Sequence, residues 1–170
     1  MTTAVRSAAL ITSLCVPVCL LANPSGPQVV HGQVSFTHPD ANTLSIINSP
    51  GAIINWQSFG INPGEITQFI QQSANSAVLN RVIGQDPSAL LGELQSNGQV
   101  YLVNPNGIVV GQNAVIDTAG FIASTLSISD EDFKRGELNF SDEGNAGGIV
   151  NRGFIKVGQD GNVLLVAPSV

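Results

Sequence analysis

The segment Gly98-Gln-Val-Tyr-Leu-Val-Asn-Pro105 returns as Gly161-Asn-Val-Leu-Leu-Val-Ala-Pro168, identical at five of eight positions. Such self-similarity constrains a fold strongly, because each copy is a unit that cannot bury its apolar face alone and must stack on a neighbour. The offset is 63 residues, three periods of 21. Gly107-Ile-Val-Val-Gly-Gln112 resembles Gly153-Phe-Ile-Lys-Val-Gly-Gln159 with one extra residue, at an offset of 46 or 47, about two such periods. Gly120-Phe-Ile122 also returns at 153–155. A period near 21 residues, filled by two or three short strands with Gly or Asn turns, describes one coil of a β-helix. The alternative is a β-sandwich in which two Gly-flanked strands resemble one another by chance.

The rest of the chain reads as short strands. Runs rich in Val, Ile or Phe occupy 28–36, 43–48, 52–57, 65–71, 77–82, 99–104, 108–110, 114–116, 121–128, 154–157 and 163–166. Gly, Asn, Pro and Asp bound them, residues that accept left-handed backbone or fix φ at a turn. With 18 Gly, 9 Pro and only 11% charged residues, the composition suits a turn-rich β protein rather than a helical bundle or a disordered chain. One stretch, 86–94, carries helical signals: Asp86 can cap a first turn with Pro87 at the first helical position, and Gly92 would keep that helix short. Another, 129–148, holds Asp130, Glu131, Asp132, Lys134, Arg135, Glu137, Asp142 and Glu143, eight of the 17 charges beyond residue 22. It is expected to be a solvated hairpin or loop extruded from the solenoid, since its carboxylates lack the spacing of an EF-hand loop.

Residues 1–22 differ in kind. One cation, Arg6, precedes an apolar run from Ala8 to Leu21 that ends at Ala22, ahead of Asn23-Pro24. That is the pattern of a secretory signal peptide. The run is broken by Thr12, Ser13 and Pro17 and is short for a permanent membrane helix of about 20 residues. Leu20 stands third before the cut, where a small residue is the rule, so the segment is better marked than its cleavage point. Cys15 and Cys19 fall in the part removed, and neither follows the small residue that precedes a lipidated cysteine. What remains, residues 23–170, is expected to be one domain of 148 residues with no cysteine, 12 acidic and 5 basic side chains. The full chain carries a net charge of -6 with thinly scattered cations, which excludes the basic stripe that nucleic acid demands.

Reactive chemistry is hard to find. His31 and His38 are seven residues apart, without the partners of a zinc site. Nucleophile elbow, phosphate loop and dinucleotide fingerprint are all absent from the sequence. A β-helical polysaccharide lyase or hydrolase would need clustered carboxylates, whereas Glu65, Asp86, Glu93 and Asp117 stand singly between apolar runs. No enzyme activity, metal or cofactor is expected.

Asn104-Pro105-Asn106-Gly107-Ile108 reads physically as a tight turn, with Pro105 presetting φ and Asn106 and Gly107 tolerating positive φ. Together with residues 75–82 (Asn-Ser-Ala-Val-Leu-Asn-Arg-Val), 96–108, 120–128 and Ile54-Asn-Trp-Gln-Ser-Phe59, it resembles the N-terminal two-partner secretion (haemagglutination activity) domain of the filamentous haemagglutinin family. The likeness runs from about Val29 to the end and is strongest to the high-molecular-weight adhesins of Gram-negative bacteria.

That resemblance implies a right-handed parallel β-helix with an N-terminal cap and extra-helical antiparallel strands. It also implies a function: the domain is the address by which the POTRA domains of a cognate outer-membrane β-barrel transporter recognise a large exoprotein in the periplasm. The Sec machinery would deliver the chain there, and β-helix folding would be seeded outside the cell. The motif residues carried over are Asn104, Pro105, Asn106, Gly107 and Ile108, acting either by contacting the transporter or by holding the turn. A second motif of one branch, Asn-Pro-Asn-Leu, is missing, and Asn80 and Arg81 lie in roughly that region as secondary candidates. The alternative function is an adhesive module that itself binds host cells or glycans. Because 163–170 ends in mid-coil without a polar cap, the chain is expected to be the front of a longer exoprotein, secreted or held at the cell surface.

Overall fold

Strands this short form no stable hairpin alone, and here they gain partners by stacking coil upon coil. The computed structural model describes residues 23–144 and 146–170. The expected signal peptide, Cys15 and Cys19 included, lies outside the described residues.

The described chain opens with β1 (Gln28–His31), β2 (Val34–Asp40), β3 (Thr43–Asn48), β4 (Ala52–Trp56), β5 (Ile66–Ile70) and β6 (Ala77–Val82). Winding continues through β7 (Ser88–Leu90), β8 (Glu93–Ser96), β9 (Gln99–Val103), β10 (Ile108–Val110), β11 (Val115–Thr118) and β12 (Gly120–Ser124). An insertion of β13 (Ser127–Ile128), α1 (Asp130–Arg135) and β14 (Phe140–Ser141) then interrupts it. The winding resumes with β15 (Ile149–Asn151), β16 (Phe154–Val157) and β17 (Val163–Val166).

These strands make two six-stranded sheets, β1-β4-β6-β9-β12-β17 and β2-β3-β5-β8-β11-β16, and a narrow one, β7-β10-β15. Neighbours pair in parallel throughout, except that β1 runs antiparallel to β4 and β2 antiparallel to β3. Ile61 extends the narrow sheet by a parallel bridge to Leu90. The expected β-helix is therefore present, with β1 and β2 as its antiparallel cap and the antiparallel β13–β14 pair outside the coils. At the capped end Trp56 packs edge-on against Phe36 and Phe59, both with ring centroids 5.7 Å away.

Register corrects the reading of the repeat. Ala77 pairs with Gln99 and Gln99 with Gly120, steps of 22 and 21 residues, while Phe121 pairs with Val163, a step of 42. The offset of 63 thus spans two coils, because the insertion doubles the length of one of them. The likeness of 98–105 to 161–168 still marks stacked positions, since Val100, Phe121 and Val163 lie in one ladder. The likeness at 46 or 47 residues marks none: β10 stacks on β15, whereas Gly153 leads into β16, which stacks on β11. Gly120-Phe-Ile and its copy at 153–155 likewise enter different sheets.

Two further expectations change. Residues 86–94 form β7 and β8 rather than a helix, with Leu91 and Gly92 both donating to Ile61 O across the corner at 2.7 and 3.1 Å. Ser88, Leu90 and Leu94 face inward while Ala89 and Glu93 face out, so ladder pairing with β10 and β11 overrides the local helix signals. The charged stretch 129–148 is not merely a loop, since α1 lies within it. Ser129 Oγ caps the helix by accepting from Asp132 N at 3.0 Å, and Gly136 closes it at φ 71°. Acids in its first turn and Lys134 and Arg135 in its last complement the helix dipole.

The β4-β6-β9-β12-β17 sheet is covered on both faces. Val78, Val100, Leu102 and Phe121 point into the coil, while Ile53, Leu79, Tyr101 and Ile122 form a ladder outside it. The insertion roofs this outer ladder: Phe133 of α1 meets Tyr101 edge-on at 5.1 Å, and Ile128 and Phe140 pack beside it. Burial pushes the Tyr101 phenol above its ordinary pKa.

Candidate functional site

The corner from β9 to β10 is built by Asn104–Ile108. Gly107 N donates back to Asn104 O at 3.1 Å, closing the turn, and Gly107 sits at φ 115°, where an L side chain would be strained. Asn104 is fully buried, and its amide uses every hydrogen-bonding position it has. Nδ2 donates to Asp86 O and to Ser88 Oγ, both at 3.0 Å. Oδ1 accepts from Asn106 N at 3.0 Å and from Asn106 Nδ2 at 3.1 Å. Asn106 Nδ2 also donates to Gly84 O at 2.9 Å.

The two asparagines therefore bind the corner to the coil before it. Backbone groups bind it to the coil after it: Gly147 N donates to Pro105 O at 2.7 Å and Ile108 N to Gly148 O at 3.2 Å. Gly147 is required there, because a Cβ would lie 2.9 Å from Asn106 O. Ile108 is buried in the core, Pro105 is half-buried and Asn106 is exposed. Among the motif residues, then, the amide of Asn106 and the ring of Pro105 are what an approaching molecule would meet. No nucleophile or carboxylate side chain belongs to the motif, so its chemistry is shape and hydrogen bonding rather than reaction.

Asn80 and Arg81 are neighbours in sequence but lie on opposite faces of β6. Asn80 points inward and is fully buried; its Oδ1 accepts from Trp56 Nε1 at 2.9 Å and its Nδ2 donates to Tyr101 O at 3.2 Å. Arg81 points outward and fastens the insertion, donating to Asp130 Oδ1 at 2.7 Å and Ile128 O at 3.0 Å. Neither joins the 104–108 corner.

Ser88, Gly84, Gly147 and Gly148 escaped the sequence reading. Ser88 could have been found, as a polar residue alternating with Leu90 on an inward face; the paired glycines lie some 40 residues downstream with no local signal linking them to the turn. His31 and His38 are exposed on the cap strands. Among the described residues no group of three or more His, Cys, Asp or Glu could hold a metal ion, and no helix is long and apolar enough to cross a membrane.

Residues 21–170 match the family model described as the TPS secretion domain. The chain belongs to that family. As a TPS secretion domain it is similar to the crystal structure of the HMW1 secretion domain from Haemophilus influenzae, with a TM-score of 0.82 and 47% identity over 85% of this chain and 39% of that one. Two heme/hemopexin-binding proteins of Haemophilus influenzae are 37% identical over 105 residues and 35% identical over 123 residues. These matches cover 62% and 70% of this chain, which spans only 12% and 13% of those relatives' lengths. The expectation of a TPS domain with a β-helical fold is borne out, and the adhesive alternative finds no support in these relatives.

Proposed function

We propose that residues 23–170 are the address by which a longer, adhesin-like exoprotein is selected for export by a cognate outer-membrane transporter, after residues 1–22 have directed it through the Sec machinery. The carrying observation is the TPS secretion-domain match over residues 21–170. The transporter would read the folded or nascent domain through its periplasmic POTRA domains, and the exoprotein would end outside the cell or on its surface. Within the domain, the outward part of the corner, Pro105 and Asn106, is the reading surface, while Asn104, Gly107 and Ile108 hold that surface in place. Arg81 contributes by fixing the insertion, and Asn80 by filling the interior.

The test is co-expression with the cognate transporter, following the exoprotein in periplasm and medium. Export is expected to vanish without the transporter; export that continues unchanged would sink the proposal. For the reading surface, Asn106→Ala should trap exoprotein in the periplasm while the purified domain keeps its parental circular dichroism. Normal export of that variant would remove Asn106 from the reading surface.

A further inference from the structure

The corner that organises the site is also a point of chemical fragility. Asn106 is followed by Gly107, and Asn-Gly is the pair in which a backbone nitrogen can most easily reach the preceding side chain, because glycine has no Cβ to block it. The reaction is self-contained. Gly107 N loses its proton and bonds to Cγ of Asn106, the Cγ–Nδ2 bond breaks, and Nδ2 leaves as ammonia carrying that proton. Water then opens the cyclic imide at one carbonyl or the other, giving aspartate or isoaspartate.

In the folded coil both reacting groups are restrained. Gly107 N–H donates to Asn104 O at 3.1 Å. The Asn106 amide is held by Gly84 O of the preceding coil at 2.9 Å and by Asn104 Oδ1 of its own corner at 3.1 Å. Attack requires these hydrogen bonds to open first. Either product would also spoil the corner: a carboxylate at 106 sets an acceptor against two acceptors, Gly84 O and Asn104 Oδ1, and isoaspartate adds a backbone atom where Gly147 N must meet Pro105 O at 2.7 Å.

We propose that Asn106 is a modification site gated by folding: its amide survives while the corner is closed and hydrolyses through Gly107 in a chain kept unfolded, after which a coil carrying the isoaspartate product cannot close. Asn97-Gly98 is a second site of the same design. There the Asn97 side chain accepts from Gln71 N at 2.7 Å and donates to Gln71 O at 2.8 Å, again spending an amide on the preceding coil. Only the consequence for export, that a chain held unfolded before secretion has a limited lifetime, rests on the proposed function; the chemistry does not.

The experiment ages the full chain in warm, mildly alkaline buffer with and without urea, and reads each asparagine by peptide mass spectrometry with separation of isoaspartate. Asn106 is expected to convert in urea and to react about 100-fold more slowly in the native protein, as opening several net-favourable hydrogen bonds before attack requires. Equal rates in the two states, or a rate in urea no faster than that of Asn113, which precedes alanine, would overturn the gating. A second arm removes the urea: chains converted to isoaspartate at 106 should stay protease-sensitive while unconverted chains regain resistance. Full recovery by the isoaspartate chains would overturn the claim that the coil cannot close.

Discussion

Replacing Asn104 by alanine removes the amide on which the β9–β10 corner depends, and the structure gives the cost in parts. Ser88, itself fully buried, loses the donor to its hydroxyl; Asp86 O loses a donor, and Asn106 N loses its acceptor. A buried orphan costs roughly 1–3 kcal/mol, and each of two further net bonds near the surface about 1 kcal/mol. The sum, about 3–5 kcal/mol, is a large part of the roughly 5–15 kcal/mol that holds a domain folded. With a urea dependence of ~2 kcal/mol per M, the midpoint of unfolding should fall by about 1.5–2.5 M. Asn106→Ala is the internal comparison. Its side chain is exposed, so water can replace it at Gly84 O, and the loss should be about 1 kcal/mol or about 0.5 M. Urea titrations of the two purified variants followed by circular dichroism decide the matter. A shift for Asn104→Ala no larger than that for Asn106→Ala would refute the division of the motif into a buried brace and an outward face.

Three other outcomes follow from the geometry. Asn80→Leu keeps the volume but leaves Trp56 Nε1 without its acceptor; it should cost roughly 1–3 kcal/mol, and the emission of Trp56, the sole tryptophan, should shift. Arg81→Met should unfasten the insertion while leaving the coils intact, so limited proteolysis should cut within 129–148 faster without lowering the urea midpoint by more than about 1 kcal/mol in equivalent stability. The Asp132 carboxyl is held below its ordinary pKa, first by the Ser129 hydroxyl and then by Asn139 and Arg135. A depressed folded-state pKa contributes stability above the unfolded value and loses it as pH falls through the folded one. The α1 segment should therefore show lower hydrogen-exchange protection, with rates taken relative to the intrinsic rate at each pH, below about pH 4 than at neutrality, at unchanged protection in β6 and β9.

Local alternation carried most of the fold. Strands β3, β6, β10, β16 and β17 begin and end where Val, Ile and Leu stand between turn residues, and each pairs in parallel with at least one strand of similar pattern in an adjacent coil. Register was not legible in the same way. The insertion adds residues to one coil, and a period measured across it cannot distinguish two long steps from three short ones. The misread helix at 86–94 has the same root: Asp86 and Pro87 are local signals, whereas the pairing of Ser88 with Ile108 and Glu93 with Val115 is decided by neighbouring coils. At the site, Asn104 and Asn106 stood out as a motif, yet only burial separates a brace from an exposed group. Asn80 and Arg81 show the reverse, since the alternation Val78, Asn80, Val82 already assigns the asparagine inward and the arginine outward.

The antiparallel cap gives the stack a polarity. On the side of β1 and β2 the direction of pairing reverses, so a parallel coil arriving there meets the wrong hydrogen-bond pattern. On the side of β15, β16 and β17 the pattern is that of every coil before it. Such a stack works as a one-way zipper with its stop already in place. Once the cap has closed, each later coil meets a parallel partner already in place, as β9 meets β6 and β12 meets β9.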